Sequence, residues 1–184
     1  MAAPRGRKPR LRNSRSVLAC LLDVCVKLRR PGGEVNEIRK TALVGYSAER
    51  IFDLIEAAEH YPAFLPWCAG ATILARDEQL VSARITIDYH GVRLNFATRN
   101  PKRRPEFMAV QLEHCPFRHF EGEWHLAPLA ADACKIEFAL RYEFQRALTA
   151  KIAGPIFDRI ANTLVDAFVA RAGQVYGATT AGSG

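Results

Sequence analysis

The chain has 184 residues, 49% of them hydrophobic, and a formal net charge of +7. That length suits one domain with a sizeable core, and the apolar content is that of an ordinary soluble globular protein. Residues 1–34 hold nine of the 26 basic residues and two of the 19 acidic ones, so the other 150 balance at 17 of each, which excludes a nucleic-acid argument based on charge for the folded part.

The five cysteines (Cys20, Cys25, Cys68, Cys115 and Cys134) are odd in number, widely spaced and form no C-x-x-C. This pattern fits buried thiols in a reducing compartment better than a disulfide framework. No apolar run approaches the ~20 residues of a membrane-spanning helix. Residues 1–34 read as a basic extension, disordered or outside the native domain, with Val35 opening the first domain-like segment as a candidate initiator. A mitochondrial presequence, Arg-rich and acid-poor, is the competing reading. A secretory signal does not fit, because Asp23 interrupts the apolar run at 16–28.

The domain itself spans 35–177. Residues 36–45 read as a strand. Ser47 is placed to cap a helix whose apolar face is Ile51, Phe52, Leu54, Ile55 and Ala58, although Arg50 stands where a capping-box glutamate would be. Residues 60–68 form a loop, because Pro62 and Pro66 forbid a regular helix, yet Tyr61, Phe64, Leu65 and Trp67 make it unusually apolar. Residues 69–77 read as a further strand. The period then becomes two. Val81, Ala83, Ile85, Ile87 and Tyr89 alternate with polar residues, Gly91 turns the chain, and Val92, Leu94 and Phe96 continue. A charged turn at 100–105 leads to Met108, Val110 and Leu112. Phe120, Gly122, Trp124 and Leu126 alternate with His119, Glu121, Glu123 and His125. Cys134, Ile136, Phe138, Leu140, Tyr142 and Phe144 complete the pattern, which predicts an antiparallel meander with one solvated face. Residues 147–176 recur at helical spacing in two apolar rows: 148, 152, 156, 160, 164, 168 and 153, 157, 161, 165, 169, 172. Gly154-Pro155 is expected to kink this helix or mark its true start, and Gly177 to stop it before a flexible tail at 178–184. The fold class is α+β: a curved antiparallel sheet of six or seven strands wrapped on a long C-terminal helix.

No residue pattern argues for an enzyme. There is no Gly-rich phosphate loop, no G-x-S-x-G and no H-E-x-x-H. His119, Glu121, Glu123 and His125 can be drawn as a metal cluster, but strand parity puts all four on the charged face. His114-Cys115 is a tempting base–nucleophile pair whose side chains would point to opposite faces. Lys102-Arg103-Arg104 is a basic cluster between prolines, either a solvated turn or a docking contact. The helix face and the 60–68 loop supply apolar surface for either a solid core or a ligand cavity.

Several separated stretches carry a family resemblance: Ala42-Leu43-Val44-x-Tyr46-Ser47-Ala48-Glu49, Tyr61-Pro62-x-Phe64-Leu65-Pro66-x-Cys68, Thr98-Arg99-Asn100, and Pro116-Phe117-x-x-Phe120-x-Gly122-x-Trp124. Together they resemble the START-like coenzyme-Q-binding proteins and the bacterial ribosome association toxins, over about residues 36–176. The resemblance implies a helix-grip fold with a hydrophobic tunnel. From the quinone branch comes the first expectation, a non-enzymatic chaperone of ubiquinone or a similar lipid. No covalent cofactor is involved, and the isoprenoid tail lies against Ile156, Ile160, Leu164 and Phe168. Tyr61, Phe64, Leu65 and Trp67 would form the mouth, with Phe117 and Trp124 on the wall. The toxin branch implies the alternative, binding to the large ribosomal subunit and blocking subunit association, with Lys102, Arg103 and Arg104 as the contact. Both place the protein in the cytoplasm, peripheral to the inner membrane through transient contact if quinone is the ligand, or in the mitochondrial matrix if residues 1–34 are a presequence; neither needs DNA.

Overall fold

The computed structural model describes residues 35–114, 117–145 and 147–177. The expectations for 1–34, for the tail at 178–184 and for Cys20, Cys25, Cys115 and Pro116 lie outside the described residues, as does the side chain of His114. Seven strands form one antiparallel sheet: β1 (Asn36–Val44), β2 (Cys68–Arg76), β3 (Leu80–Tyr89), β4 (Val92–Arg103), β5 (Phe107–His114), β6 (Phe117–Ala130) and β7 (Ala133–Phe144). Across the sheet the order is β1-β7-β6-β5-β4-β3-β2. Strands β2 to β7 are therefore a meander, and β1 pairs with β7 at one edge. Helix α1 (Ala48–Glu56) and a 3-10 helix (Ala58–Ala63) carry the chain from that edge to the other, and helix α2 (Ala147–Tyr176) follows β7.

Local chemistry explains the connections. Ser47 caps α1, its hydroxyl accepting from the Arg50 amide at 3.4 Å. The residues read as an irregular loop start as the 3-10 helix, with Pro62 inside it. Proline fits there because the turn is closed by the amides of Phe64 and Leu65, which both donate to the Tyr61 carbonyl at 3.1 and 2.8 Å. His90 (φ 50°) and Gly91 (φ 78°) form the two-residue turn between β3 and β4. Positive φ at both central positions matches the twist of a tight hairpin, and glycine adopts it without strain.

The alternation predicted for β3, β6 and β7 is observed. Val81, Ala83, Ile85 and Ile87 are buried, as is every second residue from Cys134 to Phe144. Two readings are corrected. Strand β4 runs on to Arg103, so most of the charged segment 100–105 is strand, paired through Lys102–Met108 and Arg103–Phe107. Helix α2 is continuous through Gly154-Pro155, so that pair neither starts nor ends it.

The apolar rows of α2 are not equivalent. Ala153, Phe157, Ala161, Val165 and Ala172 are buried, whereas the row from Ile152 starts 59% exposed and reaches 1% only at Phe168. Burial along that row is not a steady progression: Ile156 and Leu164 are half-buried, and Ile160 between them is already buried. A polar tether accompanies this packing: the buried Tyr142 hydroxyl donates to the Asp158 carboxylate on α2. Burial, then the Asp158 hydrogen bond, pushes the Tyr142 phenol well above its ordinary value. A phenol raised on folding stabilises the native state below its unfolded pKa near 10, and this contribution fades as pH rises further. Tyr142→Phe is expected to cost about 1–3 kcal/mol at neutral pH and to flatten the loss of stability above pH ~10. Urea unfolding at several alkaline pH values checks both; an unchanged alkaline slope would assign that slope to other groups.

Candidate functional site

The sheet and α2 frame a partly open cavity of about 110 Å³. Its wall takes Ile85, Ile87 and Phe96 from β3 and β4, Met108 and Val110 from β5, Trp124 from β6, Phe138 and Leu140 from β7, and Ile160, Leu164 and Phe168 from α2. Four further lining positions are small: Ala58, Ala83, Gly122 and Ala161. The three alanines leave space where two apolar surfaces otherwise interlock, whereas Gly122 is set by close packing. A Cβ at Gly122 would sit 3.2 Å from the Val110 Cβ, so even the smallest side chain is crowded there.

Of the ten residues expected to form cavity and mouth, Tyr61, Trp67, Trp124, Ile160, Leu164 and Phe168 line the cavity. The other four do not. Leu65 is buried in solid core. Phe64 packs on Tyr61 and Phe168, ring centroids 5.9 and 5.2 Å away, with the Arg171 guanidinium over its other side. Phe117 lies behind the wall, its ring packed on Phe96, Phe120, Tyr142, Phe144 and Phe157, of which Phe96, Phe120 and Phe157 line the cavity. Ile156 packs against the core from the flank. Parity cannot separate core from cavity, because both sit on the same inner face.

Three polar residues line the apolar wall: Tyr61, Thr98 and Asn100. The Tyr61 hydroxyl is committed, donating to the Ile55 carbonyl at 2.5 Å, and burial pushes this phenol above its ordinary range. Thr98 and Asn100 are buried two residues apart on β4. Neither is among the residues expected from sequence to line the cavity. A signal for both exists, since continuing the alternation of Val92, Leu94 and Phe96 puts 98, 100 and 102 on the inner face.

The same parity removes Lys102 from the expected basic docking patch. Lys102 is turned inward: its side chain is 2% exposed and paired with the Glu56 carboxylate of α1, itself 10% exposed. Arg104 pairs with Glu56 and Asp53 and lies over the Phe52 ring at 4.9 Å. Arg76 approaches Glu56 at 3.9 Å and pairs with Glu59 at 2.7 Å. Lys102 and Arg104 thus clamp α1 to the sheet; the Lys102 side chain is withdrawn from solvent, whereas Arg103 and the ion-paired Arg104 remain exposed. On the outer face His119 and His125 neighbour Glu121 and Glu123 at 3.5 and 3.4 Å, as pairs along one strand. Among the described residues no group of three metal-ligating side chains converges.

Other basic residues face solvent on the outer side of the sheet. β3 and β4 between them carry five basic residues and one acid, Asp88. Arg84, Arg93 and Arg99 are exposed on the outer face, Arg84 opposite Ala97, Arg99 opposite Ser82 and Arg93 opposite Asp88.

The model of the family described as polyketide cyclase / dehydrase and lipid transport matches residues 44–169. The ribosome association toxin RatA of Pseudomonas aeruginosa is 37% identical over 142 residues, covering 77% of this chain and 99% of the toxin. A mitochondrial coenzyme Q-binding protein COQ10 homolog B of Xenopus laevis is 24% identical over 195 residues, covering 94% of this chain and 80% of that protein. Among solved structures, the Zhui aromatase/cyclase of a Streptomyces species superposes with a TM-score of 0.67 at 15% identity, covering 79% of this chain and 98% of the enzyme. At that identity the likeness carries the fold and no activity. Among the described residues no helix is long and apolar enough to cross a membrane.

Proposed function

This chain belongs to the polyketide cyclase / dehydrase and lipid transport family, and from that premise we propose that it acts on ribosomes, binding the large subunit and blocking its joining to the small one without catalysing a reaction. The observation that carries this reading is the 37% identity across 99% of the P. aeruginosa toxin, against 24% to the coenzyme Q-binding relative.

Ribosome docking needs a surface that meets RNA phosphates, since phosphate contacts dominate such affinity. The outer face of β3–β4, with Arg84, Arg93 and Arg99, supplies one in place of the clamped Lys102 and Arg104. The guanidinium fork suits phosphate oxygens.

Sedimentation tests the proposal. Purified protein added to separated subunits under joining conditions is expected to shrink the joined-ribosome peak and to co-sediment with the large subunit. Undiminished joining at saturating protein would reject the reading. Stoichiometric quinone in organic extracts of the native protein would transfer the weight to the lipid reading.

A further inference from the structure

We infer that the outer face of β3–β4 binds double-helical RNA across its minor groove, with Asn95 and Thr86 reading a ribose 2′-hydroxyl and the arginines holding phosphates on either side. This rests on the ribosome reading and names the chemistry that the same face would meet there. Along the outer side of β4 the side chains run Arg93, Asn95, Ala97, Arg99, and those opposite them on β3 run Asp88, Thr86, Arg84, Ser82. The basic groups thus sit at two ends. Arg84 and Arg99 are diagonal neighbours, about 7–8 Å apart. Arg93 and Arg99 are separated along β4 by roughly 20 Å, at ~3.3 Å per residue. Successive phosphates of one strand advance only about 3.4 Å along a duplex axis. The two ends therefore do not meet neighbouring phosphates; they suit the two strands that border one groove.

Between the ends lies an uncharged polar pair. The Thr86 hydroxyl donates to the Asn95 Oδ1 at 2.8 Å, and among the described residues no further hydrogen bond engages either side chain. The Asn95 amide hydrogens and the Thr86 lone pairs are left for an outside group. A ribose 2′-hydroxyl, donor and acceptor at once, fits both: it accepts from the Asn95 amide and donates to the Thr86 oxygen. Asn95 is exposed. On the β2 side Thr86 lies opposite Gly70, which has no side chain to cover it; a Cβ there would stand 4.0 Å from the Thr86 Oγ1. Shape points the same way. A pleated face projects nothing into a deep groove, and the A-form minor groove is wide and shallow with its hydroxyls displayed. The outward residues of β3 and β4 include no aromatic ring, so the stacking platform of a single-strand binder is missing. On the neighbouring β5–β6 face Glu113, Glu121 and Glu123 are exposed; they repel phosphate and bound the footprint. Asp88 is the one acid inside it, opposite Arg93, so Arg84 and Arg99 carry the larger share of phosphate binding.

Fluorescence anisotropy of the full chain at one fixed salt concentration compares three probes. They are an RNA duplex of about 16 base pairs, its fully 2′-O-methylated copy, which keeps the A-form and the phosphates but caps the hydroxyl, and the single strand. The plain duplex is expected to bind about tenfold more tightly than either of the others. In Asn95→Ala combined with Thr86→Val, its advantage over the methylated copy should vanish. Arg84→Glu combined with Arg99→Glu should weaken both duplexes alike. Asn95→Ala alone, at an exposed site, gives the same comparison if the double variant fails to fold. No saturable binding of the duplex, equal affinity for the plain and methylated copies, a single strand bound as tightly, or an advantage that survives loss of Asn95 and Thr86 would each overturn the inference. If the same protein blocks subunit joining, such a result leaves the ribosome reading intact and assigns this face to another contact. Duplex selectivity in a protein that fails to block joining would support the inference and reject that reading alone.

Discussion

Replacing Glu56 with alanine is expected to remove about 3–5 kcal/mol of unfolding free energy, because one partner of a buried charge pair is removed and the other stays behind. The other partner is Lys102, whose side chain is 2% exposed at the inner end of β4. Arg104 is freed from the same carboxylate but keeps Asp53. The damage is therefore set by Lys102, which has no second carboxylate in reach among the described residues. Glu56→Leu combined with Lys102→Leu removes both charges, and most of the missing stability should return. Urea unfolding of the two variants makes the comparison. A loss below ~1 kcal/mol in Glu56→Ala would mean that water reaches Lys102 and that the clamp is a surface pair in energetic terms. This pair also changes how the basic cluster is tested. Charge reversal at Lys102 would bury a carboxylate against Glu56, so loss of ribosome binding in such a variant would report unfolding.

Charge reversal of Arg84, Arg93 and Arg99 together is expected to weaken ribosome binding at least tenfold. It should also lower the salt dependence of binding by about two in slope, at roughly 0.7–0.9 for each phosphate no longer neutralised. All three side chains are exposed on the outer face of β3–β4, so the fold should tolerate the change within about 0.5 kcal/mol per site. Sedimentation with ribosomal subunits at three salt concentrations measures both quantities. Full blocking by a folded triple variant would reject this face while leaving the ribosome reading intact. Failure of the wild-type protein to block would reject the reading itself.

Period and punctuation in the sequence were enough for the element order. The switch from helical spacing to period two, the Ser47 cap and the Gly91 turn are local signals, and each acts within a few residues of itself. The assignment to a family was equally legible, since its motifs are short and separated. What needed the tertiary structure is whatever depends on two distant segments at once. Which stripe of α2 faces the sheet follows from its docking angle, and the row through Ile152 and Phe168 crosses from solvent to core within one helix. Whether Lys102 is a free cation or half of a clamp depends on Glu56, 46 residues earlier. Inner-face parity places Thr98 and Asn100 correctly, but volume belongs to all the facing side chains together. Whether the inner face closes into solid core, as around Leu65, or leaves room, as beside Ala83 and Ala161, is therefore decided by packing in three dimensions.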